Sequence, residues 1–324
     1  MRLRPPLEAV RTRLTVRIHS PAIIYFDAVR RAGSIREAAR QLNVASSAVN
    51  RQILRLEAEV GAALFDRFAG GVKLTSAGEA MARHVLVVLQ DLERAQSDIL
   101  GLKGARAGHV GIAAVEGVLS SLLPAAMSTL RARSPRILIT AEPMGSLTIS
   151  QAIADGLADV GIAFALRRRA EVRQVIVGRF KLGAIMAPQH PLARRAALSV
   201  SECFAYPVIM PSGDLSIGRL LQPALERLAL NVQPIIRSSS IEFMRELAMR
   251  DIGLSFQTRI GIERQIADGR LIHVPLEANG PIWSDLGVYV RSGRALPSAL
   301  DLFLQILGEE LRRRQDAEET GQGA

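Results

Sequence analysis

Residues 34–56, SIREAARQLNVASSAVNRQILRL, constrain the fold more tightly than any other part of the chain. Ser34 stands three residues before Glu37, the spacing of a helix-capping box, and Ile35, Ala38, Ala39 and Leu42 recur at helical spacing. The pattern breaks at Asn43-Val44. Ser46 or Ser47 then opens a second helix, with Val49, Ile53 and Leu56 facing inward. Its other face shows Ser46, Ser47, Asn50, Arg51 and Arg55. Two short helices at a steep angle, the second presenting Ser, Asn and Arg, are what a helix-turn-helix sets into the DNA major groove. An ordinary αα-corner with a solvated face has the same pattern, so the stretch alone leaves both open.

The distribution of charge separates these readings. The chain carries a formal charge of +10, and residues 1–107 hold 17 Lys and Arg against 10 Asp and Glu, while 108–324 hold 24 against 21. Positive charge is therefore densest around the helix pair, as expected where phosphates are the partner and counterions are released on binding. Leu64 and Phe65 follow as apolar anchors, Arg67 as a basic finger, and Gly70-Gly71 as a tight turn before the alternating Val72, Lys73 and Leu74. This predicts a β-wing with Arg67 and Lys73 at backbone phosphates, and Thr75 as the N-cap of the next helix.

Residues 22–78 resemble the DNA-binding region of the LysR-type transcriptional regulators. The matching pieces are F26-xx-V29-xx-A32-G33-S34, A38-A39-xx-L42-N43-V44, A48-V49-x-R51-Q52-I53-xx-L56-E57-xx-V60-G61, L64-F65-x-R67 and L74-T75-xx-G78. The resemblance implies a winged helix-turn-helix over 20–75, a dimerising linker helix over 76–104 and an effector-binding domain over 109–313. The candidate DNA-facing set is Ser34, Arg36, Ser46, Ser47, Asn50, Arg51, Arg55, Arg67, Lys73 and Thr75. Asn50 departs from the family, which usually has Ser there, as does Ser46, where a longer polar residue is usual. Asn can bond an adenine edge bidentately.

Residues 76–103 read as one long helix. Val85, Leu89, Leu92, Gln96 and Ile99 follow alternating steps of four and three, the seam of a paired helix, with Gln96 fixing its register. A helix packed within its own domain fits the same periodicity. The resemblance favours a homodimer or homotetramer, because paired heads read two half-sites. Gly101, Gly104 and Gly108 read as a hinge.

From His109 the texture changes to alternating strands and helices, which predicts parallel sheets in an α/β region behind the all-α and winged head. Two such lobes joined by crossing strands resemble the two-lobed, periplasmic-binding-protein-like sensor of the LysR family. Lobe one is expected at 109–182 plus 283–313 and lobe two at 183–282. The polar residues 314–324 read as a disordered tail, and 1–19 as a basic arm or as residues from a start codon placed too far upstream.

A cleft belongs where strands hand over to helices, because helix N-termini offer free N–H groups. The candidates are Val115-Glu116-Gly117, Gly145-Ser146, Pro211-Ser212 and Ser238-Ser239-Ser240, with Phe164 nearby. In the family such junctions hold an effector, often a carboxylate. Gly145-Ser146 matches, and Ser212, Ser238 and Ser240 supply hydroxyls. Glu116 departs: a carboxylate there would repel an anion, while Val115 and Phe164 favour a ring or alkyl group. A solvent-facing Glu116, or one capping the helix at Val118, fits equally well.

Nothing in the pattern suggests catalysis. His19, His84, His109, His190 and His273 are scattered, without carboxylate or Cys at metal-ligand spacing, and nucleophile-elbow and phosphate-loop motifs are missing. No metal or cofactor is expected. Cys203 is the single cysteine, consistent with a reducing cytoplasm and a buried small residue. The expected partners are operator DNA, a small-molecule effector, further copies of the chain and, as a candidate, RNA polymerase. No apolar run is long enough to span a membrane. The competing reading is a DNA-tethered α/β enzyme or a solute-binding module.

Overall fold

The computed structural model describes residues 20–319 apart from 103–107, 167–168, 213–214, 228–232, 279 and 294, and apart from the side chains of Gln90, Glu93, Arg94, 96–98 and 100–102. The expected basic arm at 1–19 and the final residues 320–324 lie outside it. The chain divides into two compact units that part between Leu102 and Lys103.

The first unit begins with α1 (Pro21–Ala32), α2 (Ile35–Leu42) and α3 (Ser46–Val60). Ser34 caps α2 by accepting from the Glu37 N–H at 3.4 Å, and Asn43 ends it at a left-handed φ of 55°. Asn adopts that conformation because its short polar side chain can bond locally. The start of α3 differs from expectation: its N-cap is Ala45, which has no side chain to accept from the first turn. Ser46 and Ser47 are therefore inside the helix with exposed side chains.

A hairpin follows, β1 (Phe65–Phe68) and β2 (Gly71–Leu74), paired antiparallel from Phe65–Leu74 to Phe68–Gly71. Gly71 has φ of 136°, and a Cβ there would fall 2.2 Å from the Gly33 carbonyl oxygen. That carbonyl accepts from the Val72 N–H at 2.9 Å and ties the wing to the α1–α2 turn. Only glycine permits this approach. Phe26, Val29, Ala38, Val49, Ile53, Leu64, Phe65 and Val72 form the core.

The last element of this unit is α4 (Ser76–Leu102). Two residues expected on its dimer seam are spoken for: Val85 and Leu89 pack into the same core, 1% and 8% exposed. For them the intradomain reading is correct, because α4 lies against α1. Leu92 is also buried, Ile99 is 54% exposed, and the side chain of Gln96 lies outside the described residues.

The second unit has two lobes. In the first, β3 (Gly108–Ala114), β4 (Ile137–Pro143) and β5 (Val160–Phe164) are parallel, as predicted. They are joined by a π-helical turn (Val118–Leu122), α5 (Leu123–Arg133) and α6 (Ser146–Ala154). Strand alternation sorts the two faces. Val110, Ile112 and Ile162 face α5, whereas Ala113 and Ala163 face Ile149 and Ile153 of α6. Gly161 lies on that second face, where a Cβ would come within 2.5 Å of both isoleucines.

Two antiparallel strands complete this sheet, in the order β4-β3-β5-β13-β6, and correct the all-parallel expectation. The edge strand β6 (Val172–Lys181) had no sequence counterpart, and β13 (Trp283–Arg291) pairs antiparallel with both β5 and β6. Val172–Lys181 mixes exposed and half-buried residues, so it lacks the apolar run that marks a buried strand.

Lobe two contains β7 (Gly183–Met186), β8 (Leu198–Ser199), α7 (Val200–Cys203), β9 (Ile209–Pro211), α8 (Ser216–Arg227), β10 (Ile236–Ser238), α9 (Ile241–Met249), β11 (Ser255–Gln257), α10 (Glu263–Ala267) and β12 (Ile272–Glu277). Its sheet, ordered β11-β7-β12-β8, is mixed, while β9 and β10 pair parallel. The chain crosses between lobes at Leu182 and Ile282, where the Leu182 N–H donates to the Ile282 carbonyl at 2.8 Å.

The expected disordered tail is also corrected, since α11 (Ser298–Glu319) continues beyond Arg313. Gln315 Oε1 accepts from the Arg179 N–H at 3.2 Å and Glu318 Oε1 from the Lys181 N–H at 2.8 Å. These carboxamide and carboxylate groups satisfy N–H donors on the open edge of β6.

Candidate functional site

On the outer surface of α3, Ser46, Ser47 and Arg51 are exposed while Val49 and Ile53, on the opposite side, are buried. Arg55 is exposed but pairs with Glu59 at 2.8 Å, one turn on. Asn50 is half-buried with its Oδ1 covered, so a bidentate contact to a base requires the side chain to turn outward. Arg36 on α2 is exposed. Ser34 spends its acceptor on the α2 cap.

On the hairpin, Arg67 and Lys73 are exposed, and the Lys73 ammonium lies 5.4 Å from the centre of the Phe68 ring. Thr75 is structurally committed, donating to the Ala63 carbonyl at 2.7 Å and accepting from the Gly78 N–H at 3.0 Å. Sequence reasoning gave Glu57 no role. Its carboxylate accepts from the N–H groups of Leu64 and Phe65 and joins α3 to the wing. Glu57 follows Val49 and Ile53 at four-residue spacing on the inner side of α3 and is half-buried, but local spacing does not show that it reaches the wing.

In the second unit the two lobes enclose a cavity of about 560 Å³. Seven expected residues line it: Val115, Glu116, Gly117, Gly145, Ser146, Phe164 and Ser239. Ser212, Ser238 and Ser240 do not, which corrects that part of the cleft. Ser238 Oγ accepts from the Ser240 N–H at 3.0 Å, and Ser240 caps α9 by accepting from the Phe243 N–H at 3.2 Å. The Ser212 N–H donates to the Ser238 carbonyl.

Besides Ser239, lobe two contributes Ser216, Gln257 and Thr258, with Leu215, Ile217, Ile241 and Ile260. These residues fall inside or after elements whose mutual packing no local pattern reports. Ser216, Thr258 and Ser284 are at least nine-tenths buried, and their hydroxyls have no hydrogen-bond partner among the described residues. Ser146, also buried, donates to the Phe164 carbonyl at 3.1 Å.

Glu116 lines the cavity, as one reading expected, and neither turns to solvent nor caps the helix at Val118. Gly117, without a side-chain cap, precedes the turn at Val118. Glu116 crosses the cleft, and its Oε2 accepts from the Ile241 N–H, the first of α9, at 3.1 Å. A helix N-terminus carries orphan donors and the positive end of the macrodipole, so a carboxylate is its natural complement. A second bridge joins the lobes where Arg314 of α11 contacts Glu263 of α10 and the Ser121 carbonyl.

His190 and Cys203 belong to the scaffold. His190 Nδ1 accepts from the Leu192 N–H at 3.2 Å, and burial holds its pKa down against the opposing pull of Asp251. Cys203 is buried in lobe two, and burial followed by the nearby Glu202 charge pushes its thiol up to about 12. No group of His, Cys, Asp and Glu among the described residues is arranged to hold a metal ion.

A helix-turn-helix with a wing, followed by a two-lobed α/β domain around an apolar cavity, defines the class of DNA-binding regulators with a substrate-binding domain. The sequence matches the model of the bacterial regulatory helix-turn-helix protein, lysR family, over residues 22–79 and that of the LysR substrate binding domain over 103–312. The chain belongs to the LysR family: it is a LysR-type transcriptional regulator with a substrate-binding domain, not an enzyme.

A similar curated protein is an uncharacterised HTH-type transcriptional regulator of Mycobacterium tuberculosis. It is 28% identical over 265 residues, spanning 78% of this chain and 84% of the relative. Full-length OxyR from Pseudomonas aeruginosa has the same fold, with a TM-score of 0.70 at 17% identity, covering 90% of this chain and 93% of OxyR. CbnR, solved with its target DNA, gives a TM-score of 0.52 at 16% identity over 90% of this chain and 99% of CbnR.

Proposed function

We propose that the start of α3 reads an operator in the major groove through Ser46, Ser47 and Arg51, with Asn50 turning out to join them. Arg67 and Lys73 on the wing, with Arg36, engage backbone phosphates. The interlobe cavity takes a small-molecule effector whose binding shifts the protein between two assembly states. The observation that carries the DNA reading is the exposed Ser46, Ser47 and Arg51 on a helix whose other face is locked into the core. The cavity falls within the usual range of small-molecule sites, roughly 300–1,000 Å³, which supports the effector reading. In this reading the protein acts in the cytoplasm as a homodimer or larger assembly, because paired heads read two half-sites. No described helix is long and apolar enough to cross a membrane.

Footprinting on the DNA upstream of the gene, followed by fluorescence anisotropy on the protected fragment, tests the proposal. Arg51→Ala should lose about 1–3 kcal/mol of specific binding while non-specific binding persists. Arg67→Ala and Lys73→Ala should weaken all sequences alike and flatten the salt dependence. Unchanged operator affinity in Arg51→Ala would remove α3 as the reading helix.

A further inference from the structure

The interlobe cavity also carries information about its ligand, provided that it is the effector site. Among the described residues lining it, Glu116 is the one charged side chain. No Lys, Arg or His among them faces an incoming carboxylate or phosphate. One helix terminus at the cavity, that of α9, already holds the Glu116 carboxylate through the Ile241 N–H. An anion at the α9 end would displace Glu116 into an apolar wall or sit beside a like charge, and both are costly in a low-dielectric cavity.

The remaining surface is of a different kind. Val115, Leu119, Met144, Phe164, Ile217 and Ile260 supply apolar walls. Between them lie the buried hydroxyls of Ser216, Thr258 and Ser284, without partners among the described residues. Each can donate to a carbonyl or accept from a hydroxyl of a bound molecule. These hydroxyls face the cavity, so a ligand that engages them replaces water without losing hydrogen bonds.

We infer that the cavity selects an uncharged, mainly apolar molecule bearing a hydroxyl or carbonyl group, and that Glu116 is the residue that excludes carboxylates. The Glu116 charge is partly balanced by the α9 terminus, and no second acidic side chain lines the described cavity. A neutral head group is therefore a better complement than an ammonium.

Isothermal titration calorimetry on the full chain tests this with three probes that share one hydrocarbon body: 4-phenylbutan-1-ol, 4-phenylbutanoate and 4-phenylbutylamine. The wild-type protein should bind the alcohol about tenfold or more tighter than the carboxylate, a gap of the size a helix terminus controls. Glu116→Ser should raise carboxylate affinity by about tenfold, with the alcohol little changed, because the α9 N–H is then free. Glu116→Gln keeps an acceptor for Ile241 and removes the charge. Its carboxylate affinity should lie between the two, separating repulsion from occupation of the terminus.

Carboxylate binding to wild type as tight as the alcohol's, binding of the amine alone, or an unchanged alcohol-to-carboxylate ratio in both variants would each overturn the inference. Those outcomes leave the cavity standing as an effector site. Silence of all three probes with every protein would overturn the effector reading of the cavity and the ligand class with it.

Discussion

The carboxylate of Glu57 lies 2.8 Å from the backbone nitrogen of Leu64, so the end of α3 holds the first residues of the wing. The same oxygen accepts from Phe65 at 3.1 Å. Leu64 and Phe65 are core residues, and their N–H groups have left helix geometry before hairpin pairing begins. Glu57 supplies the acceptor that regular secondary structure does not.

Glu57→Ala should therefore destabilise the head by about 1–3 kcal/mol, the cost of leaving buried donors without a charged acceptor. Glu57→Gln should recover much of that loss. Urea unfolding followed by circular dichroism measures both, and equal stability of Ala, Gln and wild type would show the contact to be dispensable.

Gly71 and Gly61 both have positive φ, but a Cβ at Gly61 meets nothing within 4 Å, whereas one at Gly71 strikes the Gly33 carbonyl. Gly61→Ala should cost about 1 kcal/mol from backbone conformation alone. Gly71→Ala adds a backbone clash and should lower the melting temperature much further. Similar melting temperatures for the two variants would mean that the wing adapts freely at the α1–α2 turn.

On α4 the two ends of the expected seam should respond differently. Leu89→Asp places a charge in the head core and should unfold the first unit. Ile99→Glu should keep its melting transition and weaken self-association, in line with the proposed pairing through this helix. Sedimentation equilibrium with calorimetry distinguishes them, and an intact oligomer in Ile99→Glu would move the pairing surface elsewhere.

His273 bonds the Gln257 carbonyl at 3.1 Å, and burial, with the Arg259 charge next, pushes its pKa down to about 4. That value lies below the 6.5 of a free imidazole, so protonation favours the unfolded chain. The contribution is whole above pH 6.5 and is lost as pH falls from there to about 4, amounting to roughly 3–4 kcal/mol. Urea midpoints of wild type and His273→Gln should therefore converge across that window as pH falls. A constant difference between them would contradict the assignment.

The features legible in the sequence are those written in neighbouring residues. The break at Asn43, the caps at Ser34 and Thr75, the glycine turn of the wing and the parallel β3, β4 and β5 all follow from local periodicity or from one residue's conformational range. Val85 and Leu89 show where that reasoning stops. A heptad-like stripe fits a partner helix and the helix's own domain equally well, and α4 lies on α1. Ser212, Ser238 and Ser240 were sound guesses at helix starts, yet their backbone and hydroxyl groups bond within lobe two, and Ser216, Thr258 and Ser284 line the cavity in their place.

Sequence by itself determined the helix pair of the head, the polar face of α3 and the α/β class of the second unit, because helix and strand periods are local. Only the tertiary structure decided what Glu116 does. Its partner, Ile241, is 125 residues away, and the bond exists because two separately folded lobes bring a carboxylate and a helix N-terminus across one cleft.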